Sequence, residues 1–296
     1  MNFDVLAVNA NPLLNLVHAG EFTPGAVNRV AAMAVAAEGK GVNVARVLAR
    51  HGHAVVLTGF AGGHSGAWLR ELVRAEGVAD AFVQTAATLR VGFMAGGAEG
   101  HPTTVFPGGF PVTSAECAAL LEQVEKLLDS VRLVIASGSV PDPAAEPLYA
   151  ELLELCARRG VPCWLDAYGP AMSRALEGAV APGLAAPNRQ EWANSRGWER
   201  VEELHITDGD AAVEIISRRE GRWRVFPPAI RQINPVGCGD CYLAGLAHGW
   251  LTGFSWEERL RYAAAAGAAN ALRQDVAMIG PAEVGPLLDQ VRLEAI

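Results

Sequence analysis

Cysteine is scarce in this chain: five residues among 296, an odd number that leaves no complete disulfide framework. Positive charge is also in short supply. Lys and Arg total 24 against 32 Asp and Glu, a formal net charge of −8, and no Lys/Arg-rich block interrupts the balance. That argues against a protein that lives on nucleic acid or on an anionic membrane, although a few local cations or backbone N–H groups still suffice for a small phosphate. Long apolar runs are missing too. Val30 to Ala37 is among the longest, far short of the ~18–20 residues that cross a bilayer. Asp4 stands where a signal peptide would carry positive charge, so the opening residues read as a first strand, and the chain is expected in the cytoplasm with reduced thiols. There is no repeat of 20–50 residues and no low-complexity linker.

What is present is apolar patterning. Half the residues (51%) are hydrophobic and 19% are charged, enough to bury a large core. Short Val- and Leu-rich segments predict strands at Phe3–Val8, Ala54–Thr58, Arg132–Ala136, Pro162–Leu165 and Gly183–Ala185. Segments of helical period between them predict helices at Lys40–Arg50, Gly66–Glu76, Ser114–Leu128 and Ala144–Arg158, the third opened by Thr113 and Glu116 as a capping box. Strands too apolar to face water, alternating with helices, imply an α/β fold with a mostly parallel sheet covered by helices. Residues from about 13 to 37 and from about 80 to 106 break the alternation and are expected to form a small β-lid. The last third adds strand-like pieces at Ala211–Ile216, Trp223–Phe226 and Ile230–Ile233, then helices from Gly239 onward.

Three short segments could carry chemistry. In Asn234-Pro235-Val236-Gly237-Cys238-Gly239-Asp240 a glycine turn, expected after a strand ending at Pro235, runs into a helix. Consecutive N–H groups of Gly237, Cys238 and Gly239 at a helix start suit an anion, and Asp240 beside it is poised to take a proton from a hydroxyl. A plain glycine turn followed by an acidic first-turn residue accounts for the same letters. Gly39-Lys40-Gly41-Val42-Asn43 opens another helix, without Walker P-loop spacing. Pro187-Asn188-Arg189-Gln190-Glu191 places Asn188 and Glu191 on one side of a helix start, where a simple N-cap and capping-box pair also fits. Cys238 and Cys241 are spaced as a C-x-x-C pair, but no second pair completes a zinc set. The tryptophans are scattered and read as packing.

In this order on this alternation, the three segments resemble the ribokinase-like (PfkB) family of sugar kinases over almost the whole chain. Gly39–Ala45 is similar to the family's first signature, Gly237–Asp240 to its second, and Asn188–Glu191 to its N-x-x-E motif. Asn11-Pro12, Asn28-Arg29, Gly62–Ala67, Ser137-Gly138-Ser139-Val140-Pro141, Asn234-Pro235-Val236-Gly237 and Gly267–Ala271 resemble the branch of tagatose-6-phosphate kinase and 1-phosphofructokinase.

The resemblance implies one ribokinase-like kinase domain over 1–296 that uses ATP and Mg²⁺. Asp240 would be the general base, with Gly237, Cys238 and Gly239 stabilising the transferring phosphoryl group. Asn188, Thr207, Gly209 and Asn270 would lie on the nucleotide side, and Glu191 would organise Mg²⁺ through water. Asn15, Gly39, Lys40 and Asn43 would hold the sugar, and Arg90 would pair with a phosphate already on it. A thiol at a helix N-terminus is expected to have a lowered pKa, which would make Cys238 reactive. The implied acceptor is a sugar phosphate of the tagatose-6-phosphate or fructose-phosphate kind, and the lid is a place for a second copy of the chain. Several positions depart from the family pattern. Asn15 replaces an Asp, Glu38 a Gly, and Ala186 a Lys, while Gly92 and Phe93 replace polar residues. Those departures keep open a kinase of an unphosphorylated sugar or nucleoside, or a non-catalytic sugar-binding relative.

Overall fold

The computed structural model describes residues 2–96 and 102–296. Residues 97–101, within the second expected lid segment, lie outside the described residues. The first half of the chain forms β1 (Val5–Asn9), β2 (Leu13–His18), β3 (Ala34–Glu38), α1 (Lys40–Arg50), β4 (Val55–Gly59), α2 (Gly63–Ala75), β5 (Ala79–Asp80), β6 (Val91–Ala95), β7 (Thr103–Val105), α3 (Ser114–Leu128) and β8 (Leu133–Ser137). The second half forms α4 (Leu148–Arg159), β9 (Cys163–Asp166), α5 (Pro170–Glu177), β10 (Leu184–Ala185), α6 (Arg189–Asn194), β11 (Glu203–Ile206), β12 (Val213–Ser217), β13 (Gly221–Phe226), α7 (Cys238–Thr252), α8 (Trp256–Ala271), α9 (Pro281–Val284) and β14 (Arg292–Ala295).

The large sheet runs β14-β13-β12-β11-β10-β9-β8-β1-β4-β5. From β11 to β5 every neighbouring pair is parallel, and only β12 to β14 join antiparallel. The α/β class with a mostly parallel sheet therefore holds, and β1 shows why. Its five residues, Val-Leu-Ala-Val-Asn, are all buried, as a strand covered by helices on both faces requires. A smaller mixed sheet, β3-β2-β6-β7, stands beside it. Its strands fall inside the two segments expected for the lid, whereas Asp80 pairs with Leu57 at the edge of the large sheet. Residues paired across this small sheet share a face. Leu13 opposes Glu38 and Asn15 opposes both Ala36 and Gly92, so Asn15 and Glu38 look the same way, and both are buried.

Two expected elements are corrected. Ile230–Ile233 is not a strand, and none ends at Pro235: Pro227 and Pro228 lack N–H donors, and the N–H groups of Ile233 and Asn234 both donate to the carbonyl of Ala271 instead of to a ladder. The helix expected from Ala144 is split. Pro143–Ala145 is a single 3-10 turn, and α4 begins only after Pro147, whose ring cannot sit inside a helix. By contrast α1 and α3 have the expected limits, and Thr113 and Glu116 form the expected capping box.

Candidate active site

The C-terminal ends of the parallel strands and the N-termini of α1, α6 and α7 meet at one crevice, the place where open α/β sheets bind ligands. The α1 start is held close to β1. Gly39 has a φ of 134°, and a Cβ there would lie 2.3 Å from Asn9 Oδ1, so no other residue fits without displacing the strand end. Asn9 Oδ1 in turn accepts the N–H of Val42 at 3.2 Å.

At α7 the turn is of the same kind. Gly237 has a φ of 83° and caps the helix, with a would-be Cβ 2.7 Å from Val276. A Cβ on Gly239 would meet nothing within 4 Å, which leaves space in front of the first turn. Asp240 follows, 6% exposed. Its Oδ2 accepts from Asn43 Nδ2 at 2.7 Å. Burial pushes its pKa up to about 6; Lys40 and the Asn43 bond oppose that rise, while Asp166 and Glu191 add to it.

Lys40, one of two lysines in the chain, links these elements. Its Nζ lies 3.3 Å from Asp166 and 3.4 Å from Glu191 Oε1, and 5.4 Å from the centre of the Tyr168 ring. Burial alone would depress the ammonium; Asp166, then Glu191 and Asp240, outweigh it and raise its pKa. Burial also raises the pKa of Asp166, against the pull of Lys40. One ammonium thus faces the carboxylates of Asp166, Glu191 and Asp240, and a second cation would be accommodated beside them.

The other expected site residues are placed as follows. Asn188 caps α6 and forms a full capping box with Glu191, so the plain structural reading of that pair is realised while the second Glu191 oxygen meets Lys40. Thr207 bridges to Asn188 and its N–H donates to Pro187. Gly209 lies two residues on, in an open turn with a φ of 60°. Asn270, placed by the resemblance on the nucleotide side, is fully buried behind the α7 turn. Its amide donates to the carbonyl of Val236 and to Cys238 Sγ and accepts the N–H of Ala277. Asn43, expected on the sugar, is engaged by Asp240 and Arg46. Arg90, expected on a phosphate, donates to the carbonyls of Asn11, Pro12, Pro107 and Gly108. Asn15 is fully buried and neither amide atom has a well-formed hydrogen bond, the Glu38 carboxyl being the polar group its amide acts on. Beside it, burial raises the pKa of Glu38, partly offset by the Asn15 amide and Arg46. Cys238 is a correction. Burial pushes its thiol up, Asp240 adds to this, and the Asn270 bond only partly compensates, against the lowering expected from the helix start.

Asp166 and Arg46 were not singled out from the sequence. Asp166 had a signal: it is the acid that directly follows the segment Pro162–Leu165, where strand ends of such sheets carry function. Arg46 is a charge among the apolar residues Val44, Ala45, Val47 and Leu48 of α1, a pattern that demands buried partners.

A family model for pfkB carbohydrate kinases matches residues 13–279. Among solved structures, a possible 1-phosphofructokinase from Thermotoga maritima shares 21% identity at a TM-score of 0.88, covering 99% of both chains. Phosphofructokinase-2 from Escherichia coli in complex with potassium shares 23% identity at a TM-score of 0.87, covering 98% of this chain and 99% of that one. A phosphofructokinase-like structure from Staphylococcus aureus shares 24% identity at 0.82, covering 99% of both. At these identities the structural matches establish the ribokinase-like fold.

Proposed function

The chain belongs to the pfkB family of carbohydrate kinases, and from that premise we propose that it moves the γ-phosphoryl group of ATP onto a hydroxyl of a sugar phosphate of the tagatose-6-phosphate or fructose-phosphate kind. The observation that carries this reading is Asp240: a buried carboxylate with a pKa pushed up to about 6, in the first turn of α7 behind a glycine turn that leaves space for an anion. A base with a pKa near the working pH transfers protons well. In the proposed step Asp240 takes the hydroxyl proton, the oxygen bonds to the γ-phosphorus, and the bond from that phosphorus to the ADP oxygen breaks. N–H groups of Gly237 and Gly239 would bear the charge on the transferring group, that of Cys238 joining them by leaving the Pro235 carbonyl to which it donates at 3.3 Å, and Lys40 would add positive charge. Asn188, Thr207 and Gly209 would meet the nucleotide, and Asn15, Glu38 and Gly39 the sugar.

The donor set also fits Mg²⁺. Asp166 and Glu191 are hard oxygen donors, and the Lys40 ammonium stands 3.3 and 3.4 Å from them, so Mg²⁺ would share these carboxylates with Lys40. Among the described residues no group of three or more His, Cys, Asp or Glu side chains could hold a metal alone, so Mg²⁺ would draw its other ligands from phosphate and water. Bound there, it would neutralise phosphate charge.

A second reading, an unphosphorylated acceptor, is favoured by one observation: Arg90 already has its guanidinium on four backbone carbonyls. The test is ADP release over a panel of sugars and their phosphates, with wild type and Arg90→Ala. Turnover confined to phosphorylated hexoses, with Arg90→Ala weakening them by tenfold or more, is expected. Turnover of free sugars alone would establish the second reading, and binding without ADP release on any member would end the kinase proposal.

A further inference from the structure

Arg46 lies one turn along α1 from Asn43, and only 3% of its side chain is exposed. A guanidinium has five N–H donors and no acceptor, and here all five are engaged. Nε and Nη2 reach the two oxygens of Glu76 at 2.7 and 3.0 Å, and Nη2 also reaches the carbonyl of Ala37 at 2.6 Å. Nη1 donates to Asn43 Oδ1 at 3.1 Å and to the carbonyl of Val276 at 3.4 Å. The side chain therefore joins β3, the C-cap of α2, α1, and the loop that packs against Gly237.

The bond to Asn43 has a chemical consequence. An amide has a donor end and an acceptor end, and Arg46 can only donate, so Oδ1 must face it. That leaves Nδ2 for Asp240, and it donates to Asp240 Oδ2 at 2.7 Å. We propose that Arg46 is a positioning residue for the base: it locks the Asn43 amide so that a donor, and not an acceptor, meets the Asp240 carboxylate. With the amide reversed, Oδ1 would repel the carboxylate and accept from the protonated acid, and both effects favour the form that cannot act as a base. The other groups that face Asp240 are Lys40 on α1, Asp166 at the end of β9, Glu191 on α6, and Cys238 and Cys241 on α7 itself. None of them depends on which way the Asn43 amide points.

This inference rests on the reading of Asp240 as base, and the experiment separates the two. The acid limb of kcat against pH is measured for wild type, Arg46→Met, Arg46→Lys, Glu76→Gln and Asp240→Asn, with KM for both substrates and Tm for each. Arg46→Met should shift the acid limb upward by about one pH unit, the scale of one lost hydrogen bond to a charge, while KM changes less than about threefold. Arg46→Lys keeps the charge beside Glu76, but a single ammonium replaces the planar fork that spans Glu76 and Asn43, so it should fold and still shift the limb. Glu76→Gln keeps the Arg46–Asn43 bond and should lower Tm without moving the limb. A folded Arg46→Lys with the wild-type limb overturns the proposal, and so does an equal shift in Glu76→Gln, which would mean general loosening. If Asp240→Asn turns over near the wild-type rate, the base assignment itself fails and the positioning role falls with it. If Asp240→Asn is inactive while neither Arg46 variant moves the limb, only the positioning role is lost.

Discussion

Asp240→Asn should make the protein more stable at the same time as it removes activity. The folded-state pKa of Asp240 is pushed up to about 6 from an ordinary 3.8, chiefly by burial. The folded chain therefore binds that proton more tightly than the unfolded chain does. Linkage then sets the sign: this carboxyl favours folding fully below about pH 3.8, and the favour is lost as pH rises through about 6. Above that, the ionised group weighs against the fold. The folded and unfolded pKa values differ by 6 − 3.8 = 2.2, and each tenfold change in proton affinity is worth about 1.36 kcal/mol, so the opposing free energy is about 3 kcal/mol. Asparagine is nearly the same shape and carries no charge, so it should recover part of this. The attraction of Lys40 is already within that net shift, so it is the weaker bond of a neutral amide to Asn43 that reduces the gain, to roughly 1–2 kcal/mol and a few degrees in Tm. The gain should be present at about pH 8 and gone by about pH 4, while turnover falls by about 10²–10⁴. Thermal denaturation across that range, with ADP release measured on the same samples, checks both halves. A variant no more stable than wild type at about pH 8 would refute the electrostatic argument, and near-normal turnover would refute the role.

Two further outcomes follow from the same physics. Cys238, with its thiol pushed up by burial, should alkylate no faster than a free cysteine at about pH 7.5; rate constants from peptide mapping check this, and faster labelling would show that the helix start wins after all. His51, His53 and His248 stack together, with His53 Nε2 2.9 Å from His248 Nδ1, and burial depresses all three, His248 to about 4. Depressed histidines stabilise the fold fully above their unfolded pKa, so this contribution should be lost as pH falls from about 6.5 toward 4. His248→Phe should flatten that part of the Tm profile, and an unchanged slope would remove the cluster from the account.

Much of the frame was legible because it depends on local pattern. Val5–Asn9 is apolar on both sides and became a central parallel strand; Thr113 and Glu116 carry their capping chemistry in their own letters. The glycines at 39, 237 and 239 also spoke for themselves, since two of them need backbone space or a positive φ and the third leaves a gap. What was not legible depends on partners distant in sequence. Ile230–Ile233 has the composition of a strand, but its neighbour is the end of α8 and not a sheet edge. Arg46 meets Ala37, Glu76 and Val276, and no spacing rule brings those positions together. The same holds for Arg90, whose carbonyl partners lie just before β2, at Asn11 and Pro12, and just after β7, at Pro107 and Gly108.

The uneven satisfaction of polar groups argues for where the acceptor sits. Arg46, almost completely buried, has every donor paired, so this interior can satisfy a demanding side chain. Asn15 is equally buried with no well-formed hydrogen bond, and Glu38, on the same face of the lid strands, carries a carboxyl that burial holds above its ordinary pKa against the pull of the Asn15 amide and Arg46. Each unbonded buried group costs roughly 1–3 kcal/mol. An Asn15 amide left with spare hydrogen-bonding capacity beside a buried Glu38 supports the proposal that an acceptor with hydroxyls of its own binds here. Asn15 offers that ligand a donor and an acceptor, and Glu38 offers it an acceptor when ionised. On the proposed reading, an acid lost at one position of the lid is matched by an acid gained at the next strand, which would change the geometry of hydroxyl recognition without removing its chemistry.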